Sequence, residues 1–254
     1  MASSIVRAPE GLGVRPLAGS ERLQPLRAVI VDLDGTMVDT LGDFRVALNG
    51  MLSDLNLPAV DCLTVERAVG KGSEHLVRTV LNCQRAMVDG TQSAGEGARV
   101  EIATGFDAAL ARYQHHYRLV NGLHSAVYPG VVDGLAALKA RGLALACLTN
   151  KPLAFARDLL RMKGLGGYFS QVFGGDSFER KKPDPLPLRR TCEALDCRPE
   201  QTLMVGDSRN DAQAARGAGC PVVLVSYGYN HGEPIRSVEA DGYVSSMAEI
   251  PALF

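Results

Sequence analysis

The sequence predicts an α/β fold: an open parallel sheet covered by helices, with a helical segment inserted into it. Three observations lead there. Short apolar runs without polar alternation recur at Ala28 to Val31, Leu143 to Leu148, Leu203 to Val205 and Val222 to Val225, as strands buried on both faces read. Helical patterns lie between and after them, which is how a parallel sheet is wound. The stretch from about Asp43 to Ser125 breaks this alternation, offering helical periodicity but no buried strand.

Taken in order, residues 1–26 hold Pro9, Pro16, Pro25, Gly11, Gly13 and Gly19 and read as a loose tail, too interrupted for the apolar part of a signal peptide. The core is expected over 27–42 and 126–254, and the inserted helical domain over 43–125. In the insertion, Leu41, Phe44, Leu48, Met51, Leu52 and Leu55 repeat at helical spacing, as do Phe106, Leu110, Tyr113 and Tyr117; the polar run Asp89 to Gly97 reads as an exposed connection. After it come helices over Val131 to Ala140, stopped by Gly142, and Leu153 to Met162, stopped by Gly164, then one following Pro187 and one over Ala212 to Ala218.

Composition bounds the function. The 254 residues are 46% hydrophobic and 22% charged, with a formal net charge of −1, the profile of an ordinary globular protein. Near-zero charge gives no electrostatic reason to expect nucleic acid or an anionic membrane as partner. No apolar run approaches the roughly 18 to 20 residues of a bilayer-spanning helix. Six scattered cysteines, without metal-ligand spacing, suit a reducing cytoplasm. A small molecule is the expected partner.

In an open parallel sheet, ligands bind beyond the carboxyl ends of the strands, so the polar residues that end the strands belong together. The first strand ends Asp32-Leu33-Asp34-Gly35-Thr36, two carboxylates at i and i+2 and a glycine to turn the chain. A calcium loop would carry its glycine at the sixth position, not the fourth. The second ends Thr149-Asn150-Lys151-Pro152, a hydroxyl and free N–H groups at a helix start suited to an anion. Then comes Arg180-Lys181-Lys182-Pro183, either an oriented ammonium or two solvated lysines. The fourth loop, Gly206-Asp207-Ser208-Arg209-Asn210-Asp211, also reads as a simple capping box between Ser208 and Asp211. Brought together, Asp32, Asp34, Asp207 and Asp211 would repel by a few kcal/mol per close pair at an effective dielectric of about 20. A cation is the remedy, and an all-oxygen donor set favours Mg²⁺.

These four loops, in this order, resemble the haloacid dehalogenase (HAD) superfamily of aspartate-nucleophile phosphotransferases, over residues 28 to about 245. With Gly174-Gly175-Asp176 and Tyr227-Gly228-Tyr229-Asn230 they look most like its bacterial phosphoglycolate phosphatases. The resemblance implies a doubly wound, Rossmann-like parallel-sheet core under a helical cap, and a phosphomonoesterase acting through an aspartyl-phosphate. It makes Asp32 the nucleophile and Asp34 the general acid, then base. Thr149, the amide of Asn150 and Lys182 would hold the phosphate oxygens. Asp32, the carbonyl of Asp34, and Asp207 would bind Mg²⁺, with Asp211 beside them or behind.

The substrate implied is 2-phosphoglycolate. Alternatives are a sugar-phosphate phosphatase or phosphomutase on the same scaffold, or a non-catalytic signalling or binding protein. In the cap, Val69-Gly70-Lys71-Gly72-Ser73 precedes a helical segment that Ser73 could cap, so that Lys71 faces a substrate carboxylate; Arg78 and Arg45 are weaker candidates, against a reading as solvated surface. His115 and His116 read as surface or half-buried structure, and His231 as a loop residue.

Overall fold

The structure, a computed structural model, describes residues 25–91 and 105–254. Most of the expected tail over 1–26, and residues 92–97 of the expected connection, therefore lie outside the described residues.

Among the described residues six parallel strands form the main sheet: β1 (Ala28–Val31), β4 (Ala144–Leu148), β5 (Gln171–Phe173), β6 (Thr202–Gly206), β7 (Val222–Val225) and β8 (Gly242–Val244), in the order β5-β4-β1-β6-β7-β8. Side chains alternate across a strand. Val29 and Val31 accordingly join Leu145, Cys147, Leu203 and Val205 in one core, with α5 (Val131–Ala140) and α6 (Leu153–Met162). Ile30 joins Ala146, Met204 and Leu224 in a second core, with α7 (Leu186–Ala194) and α8 (Arg209–Ala218). Both faces are covered by buried apolar side chains, which is why the strands read as unbroken apolar runs. Each fully buried branched side chain there contributes roughly 1.5–3 kcal/mol.

The bounds of α5 and α6 match the sequence reading, each ending ahead of a glycine at positive φ, Gly142 and Gly164. Three departures have local causes. β5 and β8 have three residues each at the sheet edges, too short to show a period. α8 begins at Arg209, three residues ahead of its apolar pattern, because its first turn is polar. α7 begins at Leu186, one residue before Pro187, with Pro187 in the first turn, where a proline costs no helical hydrogen bond.

The insertion leaves the core after β2 (Val38–Asp39) and returns through β3 (Ala126–Val127), which pairs antiparallel with it, Val38 opposite Val127 and Asp39 opposite Ala126. Between them lie α1 (Leu41–Asp54), α2 (Cys62–Ala68), α3 (Ser73–Thr91) and α4 (Phe106–Val120). Phe44, Leu48, Met51, Val77, Val80, Tyr113 and Tyr117 form their own core. Asp89, Gly90 and Thr91, expected in the exposed connection, belong to the last turn of α3. The buried carboxylate of Asp43 accepts from the backbone N–H of Gly122 at 2.8 Å and of His124 at 2.6 Å, tying the outgoing helix to the returning chain. His116 is half-buried and pairs with Asp54 of α1 at 2.8 Å.

α5 packs so closely on the chain near the C-terminus that a Cβ on Gly134 would lie 2.5 Å from the carbonyl oxygen of Met247. Gly134→Ala is expected to destabilise the fold by about 1–3 kcal/mol, the usual effect of overpacking, read as a lower denaturation midpoint with activity per folded molecule unchanged. An unaltered midpoint would show that this contact gives way freely.

Candidate active site

The strand order reverses at β1, which has β4 on one side and β6 on the other. Ligands of such sheets bind beyond the strand ends at this point. Strand pairing persists to Asp32, whose N–H donates to the carbonyl of Val205 at 2.9 Å. The chain then turns at Gly35, φ +84°. A Cβ there would fall 2.2 Å from Oδ2 of Asp207, so only glycine lets the two acidic loops close on each other. Asp207, at the end of β6, is held by the Tyr229 N–H at 2.8 Å and the Thr36 hydroxyl at 3.3 Å.

Lys182 is buried at the centre. Its ammonium donates to Asp32 Oδ1 at 2.8 Å, Asp211 Oδ1 at 2.7 Å and the Leu148 carbonyl at 2.8 Å. The loop Lys181-Lys182 thus divides its two charges: Lys181 is half-buried and reaches Glu74 of α3 at 3.7 Å, while Lys182 turns inward. Asp211 serves both readings of its loop. Its Oδ2 accepts from the N–H of Ser208 at 3.2 Å and the Ser208 hydroxyl at 2.7 Å, starting α8, while Oδ1 binds Lys182.

Carboxylate oxygens of Asp32, Asp207 and Asp211 lie within 4.8 Å of one another. One ammonium against three buried carboxylates leaves two surplus negative charges. Burial, with Asp211 and Asp34 nearby, pushes the Asp32 carboxyl up to about 7 despite Lys182. Asp207 is likewise held well above the usual carboxylate range, by burial first and then by Asp211 and Asp32. A hard divalent cation fits this donor set in charge and in ligand type.

Asp34 departs from the cluster. Its carboxylate accepts from the buried ammonium of Lys151 at 2.7 Å, because the turn at Gly35 ends the alternation that would have aligned it with Asp32. Thr149 is buried at the end of β4, where its Oγ1 accepts the Lys151 N–H at 3.2 Å. The Asn150 side chain works as a tie: Oδ1 accepts the Lys182 N–H at 3.0 Å, and Nδ2 donates to the carbonyls of Lys182 at 2.8 Å and Gly70 at 2.9 Å.

Helices of the insertion roof a cavity of about 610 Å³, open mouth included, lined by the four aspartates, Lys151, Lys182, Thr149 and Asn150 together with Phe44, Ser73, Tyr113, Tyr117 and His231. The structure does not bring Lys71 or Arg78 to it. Lys71 is exposed, and Arg78 lies over the Phe106 ring at 4.0 Å; Arg45 is exposed on α1. Ser73 is the first residue of α3, not its cap, since Gly70 and Gly72 make the turn at φ +107° and +88°. That turn is pinned to the core through the Gly70 carbonyl, which also accepts from Asn210 at 3.2 Å.

Sequence reasoning gave no role to Lys151, Tyr113, Tyr117 or His231. Lys151 stands beside Asn150 at a strand end, which was the available signal; the tyrosines read only as helix core. Burial and the charge of Lys71 hold the imidazole of His231 below its ordinary range, so it is neutral near pH 7, 3.3 Å from the Asn210 amide.

Comparison with known proteins agrees with this geometry. The model of one family, the haloacid dehalogenase-like hydrolases, matches residues 26–219. A phosphoglycolate phosphatase of Thiobacillus denitrificans is 42% identical over 225 residues, 89% of this chain and 94% of that protein. A plasmid-borne phosphoglycolate phosphatase of Cupriavidus necator is 43% identical over 229 residues, covering 90% and 93%. The crystal structure of a predicted phosphoglycolate phosphatase from Haemophilus somnus superposes with a TM-score of 0.80 at 33% identity, covering 90% of this chain and 97% of that one.

Proposed function

The chain belongs to the haloacid dehalogenase-like hydrolases, and on that footing we propose that it hydrolyses 2-phosphoglycolate to glycolate and phosphate through an aspartyl-phosphate on Asp32. The observation that carries the reading is the convergence of Asp32, Asp207 and Asp211 around Lys182 at the switch point of the sheet, with Asp34 set apart on another cation. The substrate comes from the relatives, which are named phosphoglycolate phosphatases.

In this mechanism the Asp32 carboxylate attacks phosphorus as the bond to the leaving oxygen breaks, and Asp34 gives that oxygen its proton. Asp34 then takes a proton from the water that attacks the phosphorus and frees Asp32. Lys182, the Thr149 hydroxyl and the N–H of Asn150 hold the remaining phosphate oxygens while charge moves across them. Asp32, Asp207 and the backbone carbonyl of Asp34 would hold Mg²⁺, with Asp211 alongside; when bound, it supplies the positive charge that lets an anionic carboxylate meet an anionic phosphate. The helices over the cavity exclude water from the first displacement. None of the six cysteines is in a disulfide, which suits a cytoplasmic setting, and no described helix is long and apolar enough to cross a membrane.

The test is phosphate release from a panel of small phosphomonoesters, hexose phosphates included, with Mg²⁺ and with EDTA. Mg²⁺-dependent preference for 2-phosphoglycolate, yielding equal glycolate and phosphate, is expected. Activity on sugar phosphates alone, or retention of phosphate in the product, would replace the substrate or the reaction.

Protons and a cation compete for the same carboxylates. Asp32 and Asp207 hold protons to higher pH when folded than when unfolded; the stability this gives is complete below the unfolded value and fades as pH rises through the folded one. Mg²⁺ added to EDTA-treated protein is therefore expected to raise the melting temperature markedly at pH 8 and little at pH 5. An equal shift at both would place the ion elsewhere.

A further inference from the structure

We propose that Lys151, with the hydroxyls of Tyr113 and Tyr117, forms the subsite that receives an anionic group on the leaving alcohol, and so makes the enzyme selective for phosphomonoesters whose alcohol carries a carboxylate. The inference rests on the phosphatase reading above and gives it a cause for its substrate class.

The first support is charge. Among the residues lining the cavity, the ammonium ions are those of Lys182 and Lys151. Lys182 is engaged by Asp32 and Asp211 on the phosphate side. Among the described residues Lys151 has one carboxylate partner, Asp34 at 2.7 Å, and its side chain is 2% exposed. The rings of Phe44 and Tyr117, on α1 and α4, stand 4.5 and 4.8 Å from its Nζ. Such faces steady a cation without neutralising it.

The second support is independent of the first. The hydroxyls of Tyr113 and Tyr117 are fully buried and have no hydrogen-bond partner among the described residues; Ser73 approaches the former without forming a bond. Both residues line the cavity. A buried donor left unpaired costs roughly 1–3 kcal/mol, so two together mark where a polar ligand belongs. Burial holds both phenols far above their ordinary range, so they are donors at any working pH. An ammonium and two O–H donors suit an oxyanion.

The placement suits the leaving group. Asp34 addresses the leaving oxygen, and in 2-phosphoglycolate the carboxylate carbon is two bonds, roughly 2.5 Å, beyond it. The group that follows that oxygen thus meets the cation already bonded to Asp34. A substrate carboxylate also competes with Asp34 for the ammonium.

The experiment compares kcat/KM for 2-phosphoglycolate and for 2-hydroxyethyl phosphate, its neutral analogue of equal carbon count, in the full chain with Mg²⁺. Lys151→Met is expected to reduce the ratio of the two by about 10²-fold, chiefly through KM for 2-phosphoglycolate, and Lys151→Arg to keep most of the preference. Glycolate is expected to inhibit the unsubstituted enzyme competitively and Lys151→Met far more weakly. Tyr117→Phe, which removes one oxygen, is expected to lower the ratio by roughly 5- to 10-fold and carries the test should Lys151→Met fail to fold. Equal losses on both substrates would overturn the proposal, leaving Lys151 only a positioning residue for Asp34; so would an undiminished preference. An enzyme that hydrolyses 2-hydroxyethyl phosphate but not 2-phosphoglycolate would refute the subsite and keep the phosphatase, whereas one that hydrolyses no phosphomonoester would remove the reading on which both stand.

Discussion

Asp32→Asn is expected to lower kcat by roughly 10⁴-fold or more, the scale seen when a nucleophile is removed, with the fold intact. The amide keeps an oxygen where the carboxylate accepts from Lys182 at 2.8 Å but is a far poorer nucleophile. Stability provides the control. Burial is the largest influence on Asp32 and opposes its charge, so exchanging a carboxylate for a neutral isostere relieves desolvation even as it weakens the bond to Lys182. In EDTA the variant is expected to melt no more than a few degrees from the unsubstituted protein. Retained activity above about a tenth, once mass spectrometry has excluded deamidation, would take the nucleophile's role from Asp32.

Lys182→Met is the second large effect, and it falls on fold and chemistry together. Removing one partner from a buried ionic cluster typically costs about 3–5 kcal/mol, and here it strands Asp32 and Asp211, both within 2.8 Å of the lost ammonium. Asp32 responds by holding its proton to still higher pH. Groups whose folded value is raised give stability that is complete below their unfolded value and disappears as pH rises through the folded one. The gap between variant and unsubstituted protein in urea midpoint is therefore expected to be small near pH 4 and widest at pH 7 and above. Activity is expected to fall by roughly 10³-fold, since the phosphate loses its buried cation. A gap independent of pH would show that Lys182 is not what offsets these acids.

The pattern of what the sequence disclosed follows from how each signal is written. Ala28 to Val31 and its counterparts declare themselves because both faces are covered, and a run of uninterrupted apolar residues is the local trace of that burial. The acids at the strand ends were legible as a set because strand order alone delivers them to one edge of the sheet. Lys151 was not, because its neighbours are supplied from far along the chain: Asp34 lies 117 residues away, and the rings beside it come from α1 and α4. Lys71 shows the converse. A basic residue between two glycines looked aimed at a ligand, yet the glycines at positive φ turn the chain so that it is the Gly70 carbonyl that meets the core, through Asn150 and Asn210. Side-chain direction in such a turn depends on backbone geometry that composition does not record.

The two-residue ladder between β2 and β3 has a consequence for how this scaffold can change. By pairing Val38 with Val127 and Asp39 with Ala126, it brings the ends of the insertion to about 5 Å, the spacing of any antiparallel pair, whatever lies between. For a chain already closed in this way, doubling the length of the intervening segment adds only about 0.6 kcal/mol of closure entropy. The helices above the phosphate site can therefore be lengthened, shortened or exchanged with little penalty to the sheet below. Changes in the helices that complete the alcohol subsite thus leave the acids at the strand ends in place, and one core can serve a lineage of differing substrates.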